Sequence, residues 1–403
     1  MLHKGKSVSE NIDAASLFNQ YTERLSLAMG ESVVDKKIGI VTIIDYNNYG
    51  NRLQNYASQQ VLKKLGYETV TLKNEVAVSK QDKSLFEKIR DKKVTKLPSA
   101  VIKKIQYEMN KDFHRLRKEC FIEFTNENIA TSDYVISDNR IPEDLSDRFD
   151  YFITGSDQVW NPRYRLGSAV DFLTFADKEK RVALSPSFGI SEIPAKFQPS
   201  YKEWLSDFKA LSVREESGAK IIKELTGRDA EVLVDPTLLL DKNEWLEIAR
   251  ESPVKPKGKY LLTYFLGNIR KEDMAWIDKV TKQNNLEIVN LADPKDQDCF
   301  ITGPSEFIDY IASASLVCTD SFHGSIFSIL METPFVVFER TENSKIQIGS
   351  RMVTLLKTMR LEDRHFNAVS KQADVFRMEF AHTGDIISKE KKRVEDYLTK
   401  AFR

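Results

Sequence analysis

A chain of 403 residues exceeds one common hydrophobic core, so two domains are expected. Its 60 basic and 60 acidic side chains cancel, which argues against a nucleic-acid partner held by general electrostatics. Cys120, Cys299 and Cys318 are too scattered for a disulfide framework or a metal cluster, and a reducing cytoplasm is the expected compartment. Nowhere do 18 apolar residues run together, and residues 1–37 contain no apolar segment flanked by a cleavage site.

Residues 1–37 read as a polar N-terminal extension with a short helix near 14–28. From 38 the pattern becomes regular: a strand over 38–44, a polar loop, an amphipathic helix over 53–65, then Gly66 and a strand over 68–72. This is a βαβ unit, and its loop, which holds Asn48, Tyr49 and Asn51, lies at the carboxyl end of a strand, where α/β proteins bind ligands. Residues 79–124 are charged and helix-prone, broken by Pro98, and form an insertion in the first domain. Between 86 and 118 there are eleven Lys or Arg against four Asp or Glu. That stretch is either a solvated helical hairpin or a basic face for peripheral contact with an anionic membrane surface.

A strand over 151–154 runs into Gly155-Ser156-Asp157-Gln158-Val159-Trp160-Asn161-Pro162. Asp157 and Gln158 offer polar groups to sugar hydroxyls and Trp160 an aromatic face to a sugar ring, with Asp157 also able to act as a base; the alternative is an Asx turn beside a core tryptophan. Further strands are expected over 182–185 and 210–213. The second leads into Arg214, which either clamps an anion or pairs with Glu215 or Glu216.

The pattern restarts near 232–237. A strand over 260–265, a helix over 272–283, a strand over 287–291 and a helix over 305–312 make a second Rossmann-like unit. Its next strand, 314–318, meets the turn Thr319-Asp320-Ser321-Phe322-His323-Gly324-Ser325, followed by a helix over 326–332 and a strand from Pro334 to 338. A helix beginning there leaves unpaired N–H groups for an anion, with Ser321 and Gly324 beside it and His323 able to donate a proton. The alternative is that Asp320 and Ser321 only cap the helix while His323 fills a polar corner. Another helix starts at Ser350-Arg351-Met352, and an amphipathic one covers 386–402. The expected divisions are 38–230 with the insertion 79–124, 231–375, and a C-terminal helix in 376–403. No P-loop, GxGxxG turn or HExxH occurs, so neither a nucleotide cofactor nor a catalytic metal is expected.

In order, Asn48-Tyr49-Gly50-Asn51-Arg52-Leu53-Gln54-Asn55-Tyr56-Ala57, the 155–162 segment, Ser212-Val213-Arg214-Glu215, Val234-Asp235-Pro236-Thr237 and the 319–324 turn resemble the polysaccharide pyruvyl transferase family. The resemblance spans roughly 38–364. It implies an α/β fold of two Rossmann-like domains facing a cleft, similar to GT-B glycosyltransferases. It further implies transfer of a pyruvyl group from phosphoenolpyruvate to a glycan or lipid-linked saccharide as a cyclic ketal, with no separate cofactor. Carried onto this chain, Arg214, Phe322 and His323 match the donor site, with Ser321 and Gly324 beside them. His323 is the expected acid, and Asp157, which matches a loop of the acceptor-side domain, is the second expected catalytic group. Asn48, Tyr49, Asn51, Gln158 and Trp160 are the expected acceptor-side residues. A sugar-nucleotide glycosyltransferase is the alternative, since fold alone does not fix the donor.

Overall fold

The computed structural model describes residues 36–76, 110–342, 345–347 and 349–403. The expected helix at 14–28 and most of the basic insertion lie outside the described residues.

The first half is built on five parallel strands in the order β3-β2-β1-β4-β5: β1 (Lys37–Val41), β2 (Glu68–Asn74), β3 (Thr131–Ile136), β4 (Tyr151–Thr154) and β5 (Arg181–Ala183). β1 lies at the centre, and all but its first residue are buried, as a strand covered on both faces requires. Helix α1 (Tyr49–Lys64) makes the crossover from β1 to β2, and α2 (Lys111–Asn128) leads into β3. α3 (Gln198–Ser206) and α4 (Glu216–Thr226) flank β6 (Ser212–Val213), which pairs in parallel with β7 (Glu231–Val232). The division expected between 230 and 231 therefore falls beside a strand that pairs with the first half.

The second half is a four-stranded parallel sheet in the order β11-β10-β8-β9: β8 (Tyr260–Tyr264), β9 (Glu287–Asn290), β10 (Leu316–Thr319) and β11 (Phe335–Val337). After the short α5 (Lys242–Glu247), helices α6 (Lys271–Gln283), α7 (Pro304–Ser313) and α8 (Phe322–Met331) connect these strands in turn. α9 (Ser350–Met359) follows the sheet. α10 (Ala381–Ala401) then returns to the first half, where Tyr397 Oη donates to the Ala183 carbonyl at 2.6 Å and Phe402 packs edge-on against Tyr67 and at a tilt against Tyr151. Two Rossmann-like units, each a parallel sheet with crossover helices, thus make up the described chain.

One continuous apolar core joins them. Tyr49 on α1 stacks on Phe307 of α7 at 4.4 Å and on Phe121 of α2 at 5.1 Å, while Tyr56 meets Trp245 of α5 at 5.6 Å. Arg117 of α2, buried among Tyr49, Phe121 and Phe300, donates to Tyr49 Oη and to the Phe300 carbonyl of the second half.

Candidate active site

Both crossover helices that face the junction begin earlier than sequence periodicity indicates. α1 starts at Tyr49 and α8 at Phe322, because Asn48 and Ser321 take the N-cap positions and accept from the amides of Asn51 and Gly324. Asn51 therefore stands on a first helical turn rather than in a loop, and Phe322 and His323 stand on the first turn of a helix that starts at the expected Ser321 cap. The helix starts meet: a Cβ placed on Gly50 would lie 2.0 Å from His323 Nδ1, so only glycine lets α1 approach the imidazole. Gly324 has the same role toward β10, since a Cβ there would lie 2.7 Å from Thr319 Oγ1.

Asp235 holds the centre. It caps the 3-10 turn Pro236–Leu239, taking the Thr237 amide and hydroxyl on Oδ1 at 3.0 and 2.7 Å. Its Oδ2 takes Arg214 Nη1 at 2.5 Å and Ser156 Oγ at 2.8 Å, and His323 Nε2 stands 3.6 Å away. That last separation is too long for a hydrogen bond but close enough for charge attraction. Arg214 and His323, from opposite halves of the chain, thus converge on one carboxylate oxygen. Arg214 Nη2 also lies 3.4 Å from Asp157 Oδ1, and Asn51 Nδ2 donates to Asp157 Oδ2 at 3.1 Å. Asn51 cannot turn its amide over, because its oxygen already accepts from Arg52 Nε and Nη2 and from the Asp45 amide.

Two guanidinium groups lie over the phenyl ring of Phe322, with Arg214 Cζ at 4.4 Å and Arg351 Cζ at 5.8 Å from its centroid. Arg351, on the first turn of α9, reaches Asp157 Oδ1 only at 3.9 Å. Burial and the like charge of Arg214 push its pKa down to about 10, with Asp157 opposing. Burial alone would raise both aspartates. For Asp157 the charges of Arg214, His323 and Arg351 outweigh it, and for Asp235 those of His323 and Arg214 together with the Thr237 amide do so, leaving both carboxyls below the usual range. A cavity of about 160 Å³ opens beside Arg214, Asp235, Phe322 and Arg351; Glu216, Glu390 and Arg393 also wall it, whereas His323 and Asp157 do not line it.

A family model for polysaccharide pyruvyl transferase matches residues 48–342, well over half of the chain. The chain belongs to this family. Among curated proteins none matches the sequence significantly. Solved structures with low similarity include a UDP-GlcNAc 2-epimerase from Methanocaldococcus jannaschii in complex with UDP-GlcNAc and UDP, at 12% identity and a TM-score of 0.44, covering 90% of this chain and 99% of that one. Another is the UDP-GlcNAc 2-epimerase from Neisseria meningitidis bound to UDP-GlcNAc, at 8% identity and a TM-score of 0.42, covering 91% and 100%.

In this pyruvyl transferase family member, Asp157, Arg214, Phe322 and His323 come together, with Ser321 and Gly324 shaping the turn beneath them. The expected acceptor-side set does not gather around them in the same way. Trp160 is a correction: fully buried, it stacks on Phe172 at 5.5 Å and 6° and donates from Nε1 to the Asp171 carbonyl, so no face is open to a sugar. Tyr49 is a second correction, its ring enclosed by Phe121 and Phe307 and its hydroxyl bound by Arg117. Asn48 serves as a helix cap, Asn51 orients Asp157, and the Gln158 side-chain oxygen Oε1 accepts from Asn161 Nδ2 at 2.8 Å. Arg214 pairs with Asp235 and Asp157 rather than with Glu215 or Glu216. Glu215 instead turns to Ser187, Phe188 and Gly189. Asp320 receives the amides of Leu266 and Gly267 and pairs with Arg340.

Sequence reasoning assigned no role to Asp235 or Arg351. The Asp-Pro-Thr order at 235–237 is a helix-start signal, with an N-cap acid followed by proline. For Arg351 the only signal was its place at a helix start, which does not reveal what the helix faces.

Proposed function

We propose that the protein transfers a pyruvyl group from phosphoenolpyruvate to a sugar of a bacterial-type polysaccharide or its lipid-linked precursor, forming a cyclic ketal and releasing phosphate. The observation that carries this reading is the pair of guanidinium groups over Phe322 at the wall of a cavity of about 160 Å³. Phosphoenolpyruvate is small and carries a carboxylate and a phosphate, which two guanidiniums match.

In this reading Arg351 and Arg214 hold the donor, and His323 gives a proton to its methylene carbon. The resulting oxocarbenium carbon, C2, is attacked by one sugar hydroxyl, whose proton passes to ionised Asp157. Phosphate then departs, the second hydroxyl closes the ring on C2, and its proton leaves with the phosphate. Asp235 holds Arg214 and the imidazole in register. Asn51 keeps the Asp157 carboxylate aimed at the same point.

Thermal shifts with phosphoenolpyruvate, UDP and GDP test the donor, because a ligand that binds the native state raises Tm. Phosphoenolpyruvate is expected to raise Tm and to release phosphate over a panel of β-galactosides and N-acetylmannosamine conjugates, with the ketal detected by mass. A rise with UDP or GDP and none with phosphoenolpyruvate would replace this reading with the glycosyltransferase one.

No helix among the described residues is long and apolar enough to cross a membrane. Peripheral contact through 86–118 belongs to the same proposal, but Arg117 cannot contribute to it, since it is buried at the junction of the two halves. Co-sedimentation with anionic vesicles but not neutral ones is the expected result, and equal behaviour with both would remove that part.

A further inference from the structure

Helix α1 buries a polar face as well as an apolar one. Asn51, Arg52, Gln54, Asn55, Ser58 and Gln59 are all buried on it, although side chains of these types are mostly exposed in folded proteins. Two of them hold the segment that carries Asp157. Gln54 Oε1 takes the Ser156 amide at 3.0 Å, and Asn51 Nδ2 donates to Asp157 Oδ2 at 3.1 Å. Asp157 itself stands in the left-handed region at φ 63°, a conformation that its surroundings must hold.

Arg52 is fully buried, and among the described residues no aspartate or glutamate pairs with it directly. A buried cation without a paired carboxylate is costly, so its remaining partners carry weight. Nε at 3.1 Å and Nη2 at 2.7 Å both donate to Asn51 Oδ1; Nη2 also donates to the Ile43 carbonyl at 2.6 Å, and Nη1 to Asn55 Oδ1 at 3.4 Å. Two charged donors on one amide oxygen polarise that amide, which strengthens the bond from its nitrogen to Asp157. Burial pushes the Arg52 pKa down to about 10, with Tyr46, Asp45 and Asp157 opposing, so the group stays charged at neutral pH.

We propose that Arg52 is a positioning residue for Asp157: acting through the Asn51 amide, its guanidinium holds that carboxylate ionised and aimed. The part of Asp157 as base rests on the pyruvyl-transfer reading, whereas the relay from Arg52 through Asn51 belongs to the fold. The other charges that face Asp157 are Arg214, His323 and Arg351, which favour its ionised form, and Asp45, which stands close enough to Asp157 to feel its charge. None of these is altered by a substitution at Arg52.

Tm against pH for the wild type, Arg52→Gln, Asp157→Asn and the double variant tests the relay. The folded Asp157 titrates below the ordinary 3.8, so its stabilisation is present above that value and lost as the pH falls below it. Without Arg52 the folded value rises toward the ordinary one. Arg52→Gln should therefore lower Tm at neutral pH and flatten the drop below about pH 4, by at least about a third of the flattening that Asp157→Asn gives. In the Asp157→Asn background it should add less than about half of that, the remainder being the effect on Asp45. Gln59→Leu is the control, since Gln59 lies on the same helix but bonds Thr71 and the Ala130 carbonyl; it should lower Tm equally at every pH. Arg52→Lys, which cannot place two donors on one oxygen as the guanidinium fork does, should flatten the drop less than Arg52→Gln and replaces it if that variant does not fold. The proposal is overturned if every folded Arg52 variant runs parallel to the wild type, or if Gln59→Leu flattens the drop as much. In turnover of phosphoenolpyruvate, Arg52→Gln should lower kcat about tenfold with KM for phosphoenolpyruvate within about twofold, and an unchanged kcat would overturn the aiming role. No phosphate release by the wild type with any acceptor of the panel would remove the base reading and leave the relay to be decided by the acid profiles.

Discussion

His323 owes its setting to two neighbours from elsewhere in the chain, Gly50 on one side and the Asp235 carboxylate on the other. His323→Gln keeps a polar side chain of similar reach but removes the transferable proton, so turnover should fall about 10²–10⁴-fold with Tm little changed. Phosphate release by the purified variant checks this; a residual rate above about a tenth of wild type would discard the histidine as the acid. Gly50→Ala tests the contact itself. A methyl 2.0 Å from the imidazole forces α1 or the ring to move, and overpacking of this kind costs about 1–3 kcal/mol, readable by urea denaturation together with lost activity. Residue types and their order singled out Asp157, Arg214, Phe322 and His323, which the fold brings together, but not Asp235 or Arg351. They could not indicate direction: in Asn48-Tyr49-Gly50-Asn51, the tyrosine points into the core and the asparagine toward Asp157 because helix α1 begins at Tyr49, a boundary set by the Asn48 cap.

At the scale of elements, hydrophobic patterning was sufficient for most strands and crossover helices, because buried parallel strands read as short apolar runs. β3, β7, α3 and α5 escaped it. β3 is an edge strand with mixed burial, so its residues carry neither a continuous apolar run nor a clean alternation. α2 shows a different limit: a segment that reads as a basic, solvated face places Arg117 in the interior. Its guanidinium donates to Tyr49 Oη at 2.7 Å, to the Phe300 carbonyl at 2.5 Å and to the Asn47 carbonyl at 3.2 Å. Arg117→Leu would strand these acceptors at the junction of the two halves, and a loss of about 2–4 kcal/mol is expected in urea denaturation, since each buried unpaired group costs about 1–3 kcal/mol. A change below about 0.5 kcal/mol would mean that water replaces the guanidinium without cost.

For the whole molecule, the buried charge cluster links stability to pH. Asp157 and Asp235 both titrate below the ordinary 3.8 in the folded state, so folding favours their ionised forms. Their contribution is complete above that ordinary value and is lost as the pH falls below it toward the depressed folded values. The Tm of the wild type should therefore drop as the pH is lowered below about 4, and Asp157→Asn should show a shallower drop over the same interval. Parallel acid profiles for the two chains would remove Asp157 from this linkage. Sequence by itself determined the alternation of strands and helices, the two parallel units and the ordered residues that mark the pyruvyl transferase family, because these depend on local periodicity and short-range turn chemistry. Only the tertiary structure decided that Arg214 and His323 meet on Asp235, that Arg351 stands beside Phe322, and that Tyr49 and Trp160 are core. Those outcomes depend on how two separately patterned halves pack against each other, and packing couples residues far apart in the chain that no local pattern relates.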